Sequence, residues 1–175
     1  MTYLLDTNVV SELRKRDPDP HVLAWYGTVT SAEIFISALT IGEIRLGIER
    51  LRRKDAARAG LLEQWLRGLH AGYGDHIIDV DAAAAEEWGR LNVPDPLPVI
   101  DGLLAASAKI RGWTLVTRNA ADVARSGVAL LNPFNLNRLS GARPVIWRPP
   151  SRLTQETPAP GRLDRRLRPQ EEVAR

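Results

Sequence analysis

The chain has 175 residues, 44% hydrophobic and 26% charged, the balance of a soluble globular protein with one sizeable core and not of a disordered or membrane chain. It has no cysteine, which excludes disulfides, thiolate metal sites and cysteine nucleophiles and fits a reducing interior. The net charge is +3, but residues 140–175 hold eight arginines against four acids, a net +4 that leaves −1 for residues 1–139; the body is nearly neutral and the basic character lies in the tail.

The opening MTYLLDTNVV has no basic segment before its apolar stretch, and an aspartate breaks that stretch after two leucines. Neither a leader nor a membrane span is expected, and a cytoplasmic location follows. Tyr3 to Leu5 reads as a first strand, closed by Asp6-Thr7-Asn8 at the start of a helix over Asn8 to Lys15. Asp6 and Asn8 thus stand at a strand end, where they serve either as helix caps or as site residues. A helix near Pro20 to Tyr26 precedes a second strand, Ile34 to Ser37.

Thr40 to Arg53 is helical in period, with Ile41, Ile44, Ile48 and Leu51 forming its core stripe. Glu43 stands off that stripe, with Leu39, Leu46 and Gly47 as its neighbours three and four positions away. That is unusual company for a surface acid, although an edge glutamate reaching water or pairing with Arg50 has the same pattern. A helix over Ala56 to Leu69, a strand over Ile77 to Val80 and a helix over Ala82 to Leu91 follow.

Asp101 falls in the first turn of a helix over Ile100 to Arg111, before Gly102-Leu103-Leu104-Ala105-Ala106-Ser107-Ala108. Dipole complementation is one use for it, worth about 0.3–1 kcal/mol; the alanines, however, imply close packing, and a buried carboxylate needs a partner such as a metal. The strand Thr114 to Thr117 ends in Thr117-Arg118-Asn119, and Asp122 lies in the first turn of a short helix over Ala120 to Arg125. Val128 to Leu131 is the last strand. Residues 139–175 carry half of the twelve prolines and show no sustained period, so a disordered basic tail is expected after a domain over 1–138.

Short apolar runs alternating with helices argue for an α/β fold, a parallel sheet sandwiched between helices, whose sites lie beyond the carboxyl ends of the strands. Asp6, Glu43, Asp101 and Asn119 or Asp122 can be brought to one such edge. An all-oxygen donor set points to Mg2+, with Mn2+ as substitute, and not to zinc. Crowded carboxylates would hold protons unless a divalent cation compensated them. His21, His70 and His76 are scattered and carry no such pattern.

Together, Leu-Leu-Asp-Thr-Asn, Ser-Ala-Leu-Thr-Ile-Gly-Glu-Ile-Arg-Leu-Gly, Asp-Gly-Leu-Leu-Ala-Ala-Ser-Ala and Thr-Arg-Asn with an aspartate three positions on resemble the PIN-domain family, and within it the VapC and FitB-like toxins. The resemblance spans residues 3–136 and includes Asn132-Pro133-Phe134. It implies a PIN fold, a Mg2+-dependent endoribonuclease acting on single-stranded transfer or ribosomal RNA, a VapB-like antitoxin partner and a homodimer. It matches Asp6, Glu43 and Asp101 to the core acids, with metal on Asp6 and Asp101, and leaves Asn119 or Asp122 to complete the site. Asn8, Thr117 and Arg118 are then the residues expected to meet substrate, with Arg118 either a forked phosphate donor or an exposed arginine of structural use only. Two other readings share some of these residues. A haloacid-dehalogenase-like phosphatase needs an acid two positions after the first, where this chain has Asn8; a PIN-like module that binds RNA or a partner without cutting is compatible with Asn119.

Overall fold

The computed structural model describes residues 1–135. β1 (Tyr3–Leu5) leads to α1 (Thr7–Leu13) and α2 (Pro20–Tyr26), β2 (Ile34–Ser37) to α3 (Ala38–Arg52) and α4 (Ala56–Tyr73), and β3 (Ile77–Ile78) to α5 (Ala82–Leu91) and α6 (Val99–Ile110). β4 (Thr114–Val116), a 3-10 helix over Ala120–Ser126, β5 (Ala129–Leu131) and a 3-10 turn at Pro133–Asn135 follow. The expected tail over 139–175 lies outside the described residues. Among the described residues, no helix is long and apolar enough to cross a membrane.

The five strands are parallel, in the order β3-β2-β1-β4-β5. Parallel neighbours must be joined by crossovers, which here are the helices. The chain builds outward from β1 to β3 on one side, then returns to lay β4 and β5 on the other. Between β1 and β4 the direction of building reverses, and the carboxyl ends of strands at such a switch are where open α/β sheets place their sites.

Register assigns the two faces. Leu4 lies opposite Phe35 and Leu115, and Leu5 opposite Ile36 and Val116. Leu4 and Leu115 pack against Leu104, Ala105 and Ala108 of α6. Leu5, Ile36 and Val116 pack against Val9, Val10, Ile44, Ile48 and Leu66 of α1, α3 and α4. Both faces are buried, which is why these strands read as unbroken apolar runs. Each fully buried Leu, Ile or Val contributes about 1.5–3 kcal/mol, and β1, β2 and β4 each carry two of them.

Several boundaries differ from the sequence reading. α3 begins at Ala38, not Thr40, because the Ser37 Oγ caps it by accepting the Leu39 N–H at 3.2 Å. α4 runs four residues past Leu69, to Tyr73. β3 stops at Ile78, and Asp81 turns away to cap α5, accepting the Ala84 N–H at 2.8 Å. The helix expected over Ala120 to Arg125 is 3-10 in type and reaches Ser126, ended by Gly127 at φ 70, a left-handed conformation that suits glycine.

Candidate active site

The acids expected at the strand ends converge at the switch between β1 and β4. Asp6 follows β1 directly, and its N–H donates to the Val116 carbonyl at 3.0 Å, so the residue is fastened to β4. It occupies the cap position of α1, yet its carboxylate makes no capping hydrogen bond. Thr117 Oγ1 instead donates to Asp6 Oδ2 at 2.6 Å, and Asn8 Nδ2 donates to the same oxygen. The Thr117 hydroxyl also accepts the Asn119 N–H at 2.9 Å and the Asn8 amide at 3.2 Å, which uses its one donor and two lone pairs fully. Asn8 Oδ1 accepts the Arg118 N–H at 3.1 Å. Asp6, Asn8 and Thr117 therefore form one latch across two neighbouring strands.

Burial raises the Asp6 carboxyl above the ordinary aspartate range, and the hydrogen bond from Thr117, the N–H groups of Thr7 and Asn8 and the Asn8 amide pull it partly back. Only 5% of Asp6 is exposed.

Glu43 enters from α3, half-buried, and Thr7 Oγ1 donates to its Oε2 at 2.5 Å. Asp101 enters from the first turn of α6, also partly buried, and accepts no hydrogen bond among the described residues. Its carboxyl is pushed up to about 6, first by burial and then by the negative charges of Asp6, Glu43 and Asp122. Charges from three other segments of the chain thus act on Asp101.

Gly102 explains how α6 brings Asp101 so close. A Cβ there would meet Leu97 Cβ and Trp88 Cδ1, each at 3.1 Å. Hydrogen at this position lets the start of α6 press against α5 and the loop before it.

Asn119 and Asp122 are both exposed, at the cap and in the first turn of the 3-10 helix. The Asn119 side chain makes no capping bond, whereas the Asp122 charge reaches Asp101. Arg118 is held from three sides. Nη2 donates to Glu12 Oε2 at 3.2 Å, the guanidinium lies 3.7 Å from the centre of the Phe134 ring, and the Arg118 carbonyl accepts the Asn132 amide at 3.1 Å.

Sequence reasoning missed Glu12. It is 4% exposed, and accepts from Lys15 Nζ at 2.6 Å and from the Asp19 N–H at 3.0 Å besides Arg118. Burial alone would raise its carboxyl, but the Lys15 hydrogen bond, the Asp19 N–H and the Lys15 and Arg118 charges together lower it. Its position between the buried Val9 and Leu13 was the available signal.

Among the described residues no three carboxylates or histidines stand together as a ready direct cage for one ion. The donors nevertheless fit a divalent cation of the hard, water-rich kind. Mg2+ keeps several waters and takes only one or two carboxylates, and the repulsion that raises Asp101 is what such a charge would relieve.

A family model described as PIN domain matches residues 3–125. Toxin FitB of Neisseria gonorrhoeae is 31% identical over 139 residues, covering 75% of this chain and 98% of that protein. VapC ribonuclease Y4jK of Sinorhizobium fredii is 28% identical over 137 residues, covering 75% of this chain and 96% of its own. The crystal structure of FitAcB from Neisseria gonorrhoeae contains a chain similar to this one at a TM-score of 0.71 and 28% identity, over 77% of this chain and all of that one.

Proposed function

The chain belongs to the PIN-domain family, and we propose that it is the toxin of a toxin–antitoxin pair, an endoribonuclease that hydrolyses phosphodiester bonds of single-stranded RNA, transfer or ribosomal RNA loops included. The observation that carries this reading is the convergence of Asp6, Glu43 and Asp122 on Asp101, whose carboxyl is raised to about 6 by burial first and then by those three charges. Acids crowded in this way are poorly suited to a structural role, since each destabilises the others in the absence of a compensating charge. The relatives named toxin and ribonuclease support the same conclusion.

Asp6 and Asp101 would hold the cation, Mg2+ or Mn2+, with Asn119 or Asp122 assisting through water. When bound, it neutralises phosphate charge and makes attacking water more acidic. The side chains of this chain do the rest. Thr117 and Asn8 both bind Oδ2 of Asp6, fixing the carboxylate plane and leaving Oδ1 free of side-chain donors. Thr7 holds one oxygen of Glu43, so the other can orient the attacking water and take its proton. Arg118 spends one N–H on Glu12, and of the five that guanidinium carries the remainder can meet an RNA phosphate beside Asn8 and Thr117.

The nuclease domain is assigned to residues 1–138 and acts in the cytoplasm, as a homodimer, with a VapB-like antitoxin as its protein partner. The test is cleavage of a labelled single-stranded RNA by the purified chain in magnesium, in manganese and in EDTA, beside Asp6→Ala. Metal-dependent cutting that Asp6→Ala abolishes is the expected result. A folded, antitoxin-free chain that cuts no RNA, transfer RNA included, would overturn the enzyme and leave a binding module.

A further inference from the structure

The end of α3, the turn after it and the start of α4 carry Arg50, Arg52, Arg53, Lys54 and Arg58 with one acid, Asp55, among them. Asp55 is occupied as the cap of α4, accepting the Arg58 N–H at 2.9 Å. Arg45 and Arg52 are paired with Glu49 and Glu63. Arg50, Arg53 and Lys54 have no carboxylate partner among the described residues, and they line a hollow together with Gly47 and Leu51.

The placement of that hollow is the informative part. Glu43, Gly47 and Arg50 are spaced by four and three residues, so at 3.6 residues per turn they fall within an arc of roughly 60° on one face of α3. That face begins at the carboxylate of the site and reaches Arg50 about 10 Å away, at 1.5 Å per residue, and Lys54, in the turn past the end of the helix, lines the hollow beside Arg50. Gly47 keeps the middle of the track low, and nothing lies within 4 Å of where its Cβ would be. The dipole of α3 accounts for cations near its end, but not for their alignment with Glu43.

The geometry points to a phosphate-binding track for the RNA strand along α3, in which Arg50 and Lys54 hold backbone phosphates a few nucleotides from the bond cut beside Glu43. This rests on the nuclease reading above. A polyanion is favoured over an acidic protein segment because the uncompensated cations form a line with a catalytic acid at its head, and a strand being cut must leave the site in some direction.

The test uses the full chain in EDTA, so that nothing is cut, with two fluorescent single-stranded RNA probes, one of about twelve nucleotides and a trinucleotide. Binding is followed by anisotropy across a salt series for the native chain, for Arg50→Gln with Lys54→Gln, and for Gly47→Leu, which blocks the track where the structure has room for a side chain. Each phosphate contact on a single strand contributes about 0.7 to the log–log salt slope, so losing two flattens it by about 1.4. Between about 50 and about 200 mM salt, the loss of affinity for the longer probe therefore becomes about sevenfold smaller in the double variant. Gly47→Leu weakens the longer probe as well, and neither variant alters the trinucleotide. Unchanged affinity and slope in both variants overturn the track. A chain that cuts RNA but shows no slope change refutes the track alone; a chain that shows the slope change but never cuts keeps the track and refutes the nuclease.

Discussion

Replacing Asp101 by Asn should make the metal-free protein more stable, and only on one side of a defined pH range. The folded carboxyl is raised from the ordinary 3.8 to about 6, so the folded state binds its proton more tightly than the unfolded state does. Stability is then unaffected below about pH 4, falls as pH rises through about 6, and remains lower above it. At 1.36 kcal/mol per pH unit the full shift corresponds to about 3 kcal/mol, and because Asp101 is only partly buried, solvent screening reduces this to about 1–2 kcal/mol. Asn keeps the shape of the side chain, and no hydrogen bond to Asp101 is lost. For a domain of this size the gain is about 3–6 °C in Tm. The assay is thermal unfolding followed by circular dichroism in EDTA, for both proteins, near pH 4 and near pH 7.5. A gain at neutral pH that disappears near pH 4 is expected, together with stabilisation of the native chain, but not of the variant, by Mg2+ or Mn2+. An equal gain at both pH values, or none at neutral pH, would refute the argument that burial and the neighbouring acids penalise the charged form of Asp101.

Three further outcomes follow from the same geometry. Thr117→Val removes the hydroxyl that holds Asp6 Oδ2 while keeping the volume; cleavage should fall about 10–100-fold at limiting Mg2+, seen as a rightward shift in a metal titration, with further raising of the Asp6 carboxyl. Gly102→Ala places a methyl group 3.1 Å from Leu97 and Trp88, and should cost about 1–3 kcal/mol in urea unfolding and weaken cleavage by moving the start of α6. Glu12→Gln should destabilise by about 1–3 kcal/mol at neutral pH, less than a fully buried pair would, because Lys15 and Arg118 are 52% and 50% exposed and can turn to water. Its lowered carboxyl gives stability that is present above the unfolded pKa and lost as pH falls through the folded one, so the gap between native and variant in a denaturant titration should close in acid.

Much of the fold was legible because its strands are buried on both faces: Tyr3–Leu5, Ile34–Ser37 and Thr114–Val116 stand out as apolar runs stopped by polar residues. Asp6, Glu43 and Asp101 were legible for a related reason. Each is an acid in apolar company at the start of a helix or beside a core stripe, and such company costs free energy unless the acid is used. Taken one at a time, however, they could not be told from caps. What separates the two uses is a contact such as Thr117 to Asp6, across 111 residues of chain, which no local pattern contains. Glu12 shows the same limit, because a single glutamate in a short helix looks solvated until Arg118 is seen to reach it from β4. The 3-10 character of Ala120–Ser126 was likewise hidden, since periodicity over seven residues does not distinguish it from a turn or two of α-helix.

The latch between β1 and β4 also sets a time for the onset of activity. Asp6 leaves the ribosome well before the hydroxyl that steadies it, which belongs to Thr117, and Asp101 is separated from it by most of the domain. A chain still being made therefore carries its first acid without the means to aim it. The candidate site is in this way incomplete until β4 has come in beside β1, and a prematurely terminated product never completes it.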